Sequence, residues 1–587
     1  MIRDFINEIK LINSMKQKTL IVILLIITLP FSNNISFGQT INDAKNKHDD
    51  NVFAKNGLLF SKNADSISVS LCGTINSLFG LVRIPSFVED ESGKVFYVSE
   101  IGNENNASVF GDDIEISKIV ISDGIKRIRP YSFADCHKLQ AVVIPASIEF
   151  IDSYAFYNCE NLENITIEGN PIVKSSTSFL NTAWMKKQSA GALILAGNLI
   201  WYKGGTPRNY VIPEGVFNIC AYAFQNGFFS NIVVSEGVKF IQPNAFYATK
   251  TIKLPSTIES LPLNIFVNPE SNSQIDSIFI PCNVNELLLV DSEGKYGSFR
   301  FRKMSVDPAN RNYFSPYNSE IIIRKTDSTL IIAGISDTII PMGVQTIGEY
   351  AFAYHDITSV VIPNSVQYIS ESAFQGCLQL SKVTMSDSLL SIGDNAFNSC
   401  IKLVDFTWPD QLKQIGANSF FASGIENASL PESIISIGSN AFAASSLKSL
   451  TLPDSLKYLG DYAFSNTLIT EIEIPSDLYR IGNGVFSNCS KLKSIIIPGN
   501  IEEVGKYAFS GCSFLEKVII EDGVKLINEH AFEGCACLDD IYNYSAEPQF
   551  VFDSSFSNYR TLHVKKKSKH SYKSTRIWNR FFIKEDL

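Results

Sequence analysis

Eleven cysteines are the residues of this 587-residue sequence with the clearest potential for chemistry. Such residues form disulfide bonds in exported chains, bind metals as thiolates, or fill small buried positions. Seven of them lie three residues after a phenylalanine: Cys136, Cys159, Cys377, Cys400, Cys489, Cys512 and Cys535. No histidine or carboxylate accompanies these seven at the spacing of metal ligands, so we expect no metal site.

The position three residues after phenylalanine does not require cysteine. Other segments place a different residue there: His355, Ser423, Ser445 and Thr467. Three of these segments are also one residue shorter between the phenylalanine and the next proline, as from Phe442 to Pro453 compared with Phe486 to Pro498. The cysteines therefore follow the geometry of a turn. This favours a ladder of small buried side chains, and leaves open which cysteines, if any, form disulfide bonds.

The histidines and carboxylates show no catalytic arrangement. The sequence lacks the H-E-x-x-H zinc motif, a Walker loop, a G-x-S-x-G elbow and a dinucleotide fingerprint. His355 and His530 occupy recurring positions, which predicts structural roles for both. We therefore predict a non-catalytic protein without a cofactor. The remaining enzymatic hypothesis is a hydrolase whose cleft lies within residues 183–212 or 269–340.

Charge limits the classes of partner. The formal net charge of -10 argues against nucleic acid, because phosphate binding needs a basic surface. One basic segment near the end of the chain could bind an acidic glycan or membrane headgroups: Lys565, Lys566, Lys567 and Lys569. The alternative is a solvated basic surface on an otherwise acidic protein.

These residues are carried by an internal repeat. An Ala-Phe pair or a close variant recurs in steps of 22 or 23 residues at Phe352, Phe374, Phe397, Phe420, Phe442, Phe464, Phe486, Phe509 and Phe532. Earlier instances are Phe133, Phe156, Phe179, Phe224, Phe246 and Phe266. The period lies within the range of leucine-rich repeats. Because one unit cannot bury its own apolar edge, the units must stack into a solenoid.

Each unit contains a short strand before a proline. In the unit Leu447–Leu456, Leu450 and Leu452 alternate with Thr451, which is typical of a half-buried strand that Pro453 ends. The outward positions of these strands form one row, which is a candidate partner-binding face: Val361, Thr384, Thr407, Ser429, Thr451, Glu473, Ile496 and Ile519. The row lacks Trp, Tyr and Arg, so we expect a broad surface of modest affinity. Strand propensity alone would also favour threonine there.

With the repeat written I-G-x-x-A-F-x-x-C-x-x-L-x-x-V-x-I-P, the chain resembles the BspA-like leucine-rich repeat family of bacterial surface proteins. Clear instances are Ile392–Leu403 and Ile481–Pro498. The resemblance implies a mainly-β, right-handed curved array with capped ends. It also implies adhesion-type binding of protein or glycan ligands at a cell surface. The alternative is an envelope-associated structural or acidic-glycan-binding module that acts through the basic C-terminal unit.

The remaining segments define the predicted domain organisation. Residues 1–38 resemble a signal peptide, with Lys16 and Lys18 before the apolar run Leu20–Leu29, and with Met15 as an alternative start. We therefore expect an exported chain at the cell surface, secreted or periplasmic, without a spanning segment after signal removal. The domains predicted after it are an N-terminal cap hairpin region at 39–110, a first repeat block at 111–268 with a hairpin near 183–212, an irregular linking stretch at 269–340, a regular block at 341–545 and a closing unit at 546–587.

Overall fold

The computed structural model describes residues 51–587 except 76–77, 111–114, 206, 226, 228, 247–248, 266–276, 289–302, 317–319 and 335–338. The predicted signal peptide and Phe266 lie outside the described residues. The chain forms two compact units, one of residues up to Pro171 with Thr177–Lys187, and one of Ile172–Ser176 with Gln188–Leu587. The domain boundaries given above stay predictions.

The first unit contains two sheets and a short helix α1 (Ala183–Lys187). Its strands are β1 (Val52–Lys55), β2 (Leu58–Lys62), β3 (Ser68–Thr74), β4 (Phe79–Ile84), β5 (Phe87–Glu89), β6 (Val95–Ile101), β7 (Glu115–Ile121), β8 (Arg127–Ile128), β9 (Ala141–Ile144), β10 (Phe150–Ile151) and β11 (Asn164–Ile167). Strands β1, β2 and β3 form an antiparallel meander, and β3 continues in parallel to β6, β8 and β10. The second sheet is parallel, in the order β11-β9-β7-β4.

The first part of the second unit contains β12 (Ile172–Val173), β13 (Gly191–Leu195), β14 (Asn198–Lys203), β15 (Asn209–Val211), β16 (Asn218–Ile219), β17 (Asn231–Val233), β18 (Phe240–Ile241), β19 (Thr251–Lys253), β20 (Ser260–Pro262), β21 (Ser277–Ile280), β22 (Glu286–Leu288), β23 (Met304–Val306), β24 (Tyr313–Phe314), β25 (Ile321–Arg324) and β26 (Thr329–Ala333). Hairpins join β13 to β14 and β25 to β26. Each hairpin leads into a parallel sheet, through β14 with β16 and through β26 with the next strand of the array. The described part of the stretch 269–340 therefore supplies strands to the array.

The regular part follows with β27 (Thr346–Ile347), β28 (Ser359–Val361), β29 (Tyr368–Ile369), β30 (Lys382–Thr384), β31 (Ser391–Ile392), β32 (Asp405–Phe406), β33 (Gln414–Ile415), β34 (Asn427–Ser429), β35 (Ser436–Ile437), β36 (Ser449–Thr451), β37 (Tyr458–Leu459), β38 (Arg480–Ile481), β39 (Ser494–Ile497), β40 (Glu503–Val504), β41 (Lys517–Ile520), β42 (Leu526–Ile527), β43 (Asp540–Asn543), β44 (Phe550–Val551), β45 (Thr561–Val564) and β46 (Phe582–Lys584). Helix α2 (Lys569–Lys573) lies near its end, and short 3-10 turns span Ser176–Phe179, Leu263–Ile265 and Trp578–Arg580. The predicted mainly-β repeat solenoid is confirmed.

The alternation of residues explains why each repeat unit forms two short strands. In β36 the central Leu450 is buried, while Ser449 and Thr451 are exposed. After Pro453 the chain enters β37, where Leu459 is buried and Tyr458 is exposed. Successive units pair in parallel at both positions, as β34 with β36 and β35 with β37. Burial of one side chain per short strand is sufficient because neighbouring units share the core.

The repeat phenylalanines form a stacked ladder inside each unit of the protein. From Phe352 to Phe532 the neighbouring rings lie 4.9–5.7 Å apart and nearly parallel. Offset aromatic pairs contribute about 0.5–1.5 kcal/mol each beyond their burial. The structure adds two rings that the repeat pattern did not identify: Phe110 stacks on Phe133, and Phe556 stacks on Phe532.

Two residues with positive φ flank the Ala-Phe pair in most regular turns. Around Phe486 these are Gly484 and Asn488, and around Phe397 they are Asn395 and Ser399. This left-handed conformation reverses the chain on both sides of the phenylalanine. The phenylalanine N–H then donates to a carbonyl of the next turn, as from Phe442 to Ala463 at 2.8 Å.

Candidate functional site

The recurring cysteines form hydrogen bonds within the turns of the repeat. All seven are buried, and no disulfide bond forms among the cysteines of the described chain. Six of their thiols donate to the carbonyl of the phenylalanine one turn earlier, at 3.0–3.2 Å, as from Cys512 to Phe486. Burial raises the pKa of Cys489 to about 11 and that of Cys535 to about 12. These protonated thiols satisfy backbone acceptors, so the predicted ladder of small buried side chains is confirmed.

Three of the four turns without cysteine place another hydrogen-bonding side chain in the same slot, whereas the buried hydroxyl of Ser423 has no hydrogen-bond partner in the described structure. Ser445 and Thr467 donate to the phenylalanine carbonyl of their own turn, at 2.6 and 2.8 Å. Buried His355 places Nε2 3.0 Å from the Ala333 carbonyl oxygen, and His530 stacks on Tyr507 at 4.8 Å. Both histidines are therefore positioned by the repeat, which agrees with the structural roles predicted for them.

The described residues offer no site for a metal ion. No group of three His, Cys, Asp or Glu side chains within them could hold a metal ion. The described parts of residues 183–212 and 269–340 form helix α1, hairpins and parallel strands. The hydrolase hypothesis therefore gains no support from the segments in which it placed a cleft.

Backbone pairing brings members of the predicted strand row side by side. Val361 is the partner of Thr384, Ser429 of Thr451, and Ile496 of Ile519. Parallel strands lie about 4.8 Å apart, so these outward side chains are neighbours. All members are exposed except Ile519, which is partly exposed. Thr407 and Glu473 share the exposure but lie outside hydrogen-bonded strands, so the row is interrupted at two places.

The row extends further than the sequence pattern indicated. Ile519 pairs with Tyr542, Tyr542 with His563, and His563 with Lys584. The Tyr542 and His563 rings stack at 4.3 Å. The amino group of Lys517 lies 4.4 Å from the centre of the Tyr542 ring. The steps of 23, 21 and 21 residues that follow Ile519 are the sequence signal for these positions.

His563 connects β45 to β43 and to the residues after β46 at this end of the row. Its Nδ1 lies 2.9 Å from Asp586 Oδ1, and its Nε2 lies 3.1 Å from Asp540 Oδ1. The side chain is buried, whereas both carboxylates are substantially exposed. These contacts fix the ring beside Tyr542 and attach the residues after β46 to the neighbouring strands.

The basic segment carries nearby acidic partners. Lys565 Nζ lies 3.6 Å from Asp522 Oδ2, and the Lys569 backbone N–H donates to Glu585 at 3.3 Å. Further along, Arg576 and Arg580 both bind Asp553. The lysines predicted as an acidic-ligand patch thus lie within a mixed-charge surface. In the ranges that the structure describes, no helix has the length and hydropathy of a membrane span.

Comparison with known proteins gives a family but no activity. Residues 103–189, 201–288, 345–468, 413–539 and 457–577 match the family model described as BspA type Leucine rich repeat region, which is found in six copies. No curated protein matches the chain. No enzymatic family is indicated.

Several solved structures are similar to this chain at low identity. A leucine rich cell surface protein from Faecalibacterium prausnitzii is 19% identical, with 84% of this chain and 94% of that chain covered and a TM-score of 0.22. A leucine-rich repeat protein from Bacteroides ovatus is 18% identical, with 88% and 100% covered and a TM-score of 0.27. A third, from Eubacterium ventriosum, is 16% identical, with 78% and 93% covered and a TM-score of 0.29. Because these TM-scores are low, the assignment of the chain to a family rests on the family model and not on the solved structures.

Proposed function

Because this chain belongs to the BspA-type leucine-rich repeat family, we propose that it is an exported surface protein that binds protein or cell-surface ligands without catalysis. The binding face in this proposal is the outward strand row, with its strongest part on β39, β41 and β43. The observation that carries the proposal is the backbone register that aligns Ile496, Ile519 and Tyr542 on adjacent strands.

The chemistry of this row suits contact with another surface. Ile496 is 50% exposed and adjoins Ile519, so apolar area is available for burial. Valine, isoleucine and threonine have few side-chain rotamers, so ordering them in a complex costs little conformational entropy. Tyr542 adds an aromatic group of the kind that dominates binding energy in many interfaces.

Export is the second component of the proposal, and it is supported by the sequence pattern of residues 1–38. Adhesion is the corresponding role for a non-catalytic repeat surface outside the cell. The part of the row before Ile496 consists mostly of threonine and serine, which favours many weak contacts over one deep pocket.

The test is a pair of matched double variants of residues 39–587. Ile496→Lys with Ile519→Lys places charge in the row, and Ile401→Lys with Ile435→Lys places the same charges on exposed isoleucines outside it. Envelope and host-surface proteins captured by the parent are identified and then titrated with both variants. We expect at least tenfold weaker binding for the first variant and unchanged binding for the second.

The readout separates binding from folding. Circular dichroism melts should be similar for the two variants, because all four substituted side chains reach solvent. Equal binding by the parent and the row variant would exclude the row as the binding face. Equal loss in both variants would show a general effect of charge.

A further inference from the structure

A cavity of about 1080 Å³, whose lining residues are mostly polar, lies within the first unit and includes no member of the strand row. Its lining includes outward residues of β2, β3 and β6 and the loop of residues 103–109. This volume slightly exceeds the range of roughly 300–1000 Å³ that is typical of small-ligand sites. The cavity is therefore large enough for a ligand of several rings.

Hydrogen-bonding side chains form one connected network in the lining. Asn63 donates to the hydroxyls of Ser68 and Ser99 at 2.8 and 3.0 Å. The Ser70 hydroxyl lies 2.8 Å from Asn63 Oδ1 and 3.0 Å from Glu100 Oε1. Networks of this kind hold polar groups in fixed positions before a ligand arrives. The cavity is thus preorganised for a polar molecule.

An arginine and a carboxylate stand side by side in the lining. Arg129 binds Glu100 Oε1 through one terminal nitrogen at 2.7 Å, while its buried Nε has no hydrogen-bond partner in the described structure. Gly102, at φ +127°, makes room for Arg129, because a Cβ there would overlap the arginine side chain. A donor next to an acceptor is complementary to two adjacent hydroxyl groups, since each hydroxyl both donates and accepts.

Charge distinguishes between polar ligands. The charged residues of the lining are two basic groups, Lys62 and Arg129, and four acidic groups: Asp65, Glu100, Glu104 and Asp135. Lys62 is already paired with Asp90 at 3.1 Å. The excess of carboxylates disfavours sulfated, phosphorylated or carboxylated ligands. The charge of the lining therefore favours a neutral ligand that is rich in hydroxyl groups.

An aromatic side chain completes the arrangement. Tyr131 lines the cavity and stacks on Tyr154 with the ring centres 4.8 Å apart. The faces of sugar rings carry C–H groups that pack against aromatic rings, while their edges carry hydroxyls. We propose that this cavity binds a neutral oligosaccharide of about two or three sugar rings, with Glu100 and Arg129 on adjacent hydroxyls and Tyr131 against a ring face. This site is independent of the strand row.

The first test uses an array of neutral di- to tetrasaccharides beside sialylated and sulfated ones, with calorimetry on the neutral compounds that bind. We expect saturable binding of at least one neutral compound and weaker binding of its sulfated form. Arg129→Gln should weaken this binding about tenfold or more, since a charged donor is lost. The matched control is Arg127→Gln, because Arg127 pairs with Asp152 at 2.6 Å and does not line the cavity.

A second variant keeps the test informative if Arg129→Gln destabilises the unit. Tyr131→Asn removes the ring at a φ of +59° that asparagine accepts, as Asn395 and Asn440 do in equivalent turns. Tyr222→Asn makes the same change at an equivalent position away from the cavity. Binding should fall with Tyr131→Asn and persist with Tyr222→Asn. No saturable binding of any neutral compound, or equal binding by the Tyr131 and Arg129 variants and the parent, would overturn the proposal.

Discussion

Among single residues, one slot of the repeat holds chemically different side chains that hydrogen-bond to backbone carbonyls, although the carbonyl differs between them. Cys512, Thr467 and His355 fill the same slot, and each places its polar atoms beside backbone carbonyls. The thiol fits this task because it is small, apolar enough for burial and able to donate weakly. Burial in this slot therefore lowers the reactivity of the cysteine thiols.

Thiol accessibility gives a prediction at this scale. In the native protein near pH 8, exposed Cys537 should react fast with a thiol reagent, partly exposed Cys72 and Cys282 slowly, and the eight buried cysteines only after unfolding. Because burial raises the pKa of Cys489 to about 11 and that of Cys535 to about 12, these two thiols stay protonated where free thiols ionise. The measurement is the time course of cysteine modification by the thiol reagent, in native buffer and in denaturant.

The same pKa shifts set the direction of a pH effect. Between the ordinary thiol pKa of 9.0 and the raised native values, the unfolded chain holds fewer protons than the folded chain. The thiol contribution to stability is therefore fully present below about pH 9 and is lost as the pH rises toward 12.

The control for the thiol-accessibility measurement is Cys537→Ser, which should remove the fast reaction phase. Several fast thiols remaining in that variant would contradict the ladder of buried cysteines.

At the scale of elements, the turn around the phenylalanine is the most constrained part of each repeat. Its left-handed positions are filled by glycine, asparagine, tyrosine and others, and some of these residues contact the equivalent residue one turn earlier. Gly484 illustrates this dependence, because a Cβ there would overlap the ring of Tyr462 in the preceding turn. The choice of residue in one turn is thus coupled to the next.

Gly484→Ala should destabilise the protein by about 1–3 kcal/mol, because it adds both a left-handed non-glycine residue and a clash. The measurement is the midpoint of chemical denaturation. Gly343→Ala serves as the control, since Gly343 also has a positive φ but has open space around its Cβ direction. Adding Tyr462→Asn to Gly484→Ala should recover part of the loss, and an absence of recovery would show that backbone strain alone is responsible.

At the scale of the whole molecule, charge separates the two binding hypotheses. The net charge of -10 repels polyanions, and acidic residues lie beside the basic C-terminal segment. Apolar and hydroxyl-bearing groups dominate the strand row instead. This distribution favours protein partners over acidic glycans.

A heparin column tests this distribution. We expect the parent to elute below physiological ionic strength, and replacement of Lys566, Lys567 and Lys569 by glutamine to change the elution little. The physical reason is that nearby acidic groups and the net negative charge offset the attraction between these exposed lysines and a polyanion. Strong retention of the parent that disappears in the triple variant would instead favour the acidic-glycan hypothesis.

Residue spacing in the sequence predicted the solenoid, the phenylalanine ladder and the buried cysteine slot. It did so because a stacked repeat places equal positions of successive units next to each other, so spacing along the chain becomes neighbourhood in space. Phe110 and Phe556 were missed because they lie in the segments that the sequence analysis assigned to the two ends of the array, residues 39–110 and 546–587. The equivalence of their positions was visible only in the stacked rings.

The continuous parts of the strand row and the position of the cavity became visible in the three-dimensional structure. Pairing ends before Thr407 and is absent at Glu473, although both follow the outward pattern of the sequence. The lining residues Asn63, Glu100 and Arg129 belong to segments that do not share a repeat phase, and an antiparallel meander joined to a parallel sheet brings them together. Contacts of this kind depend on strand register across a non-repeating segment, which residue spacing along the chain does not encode.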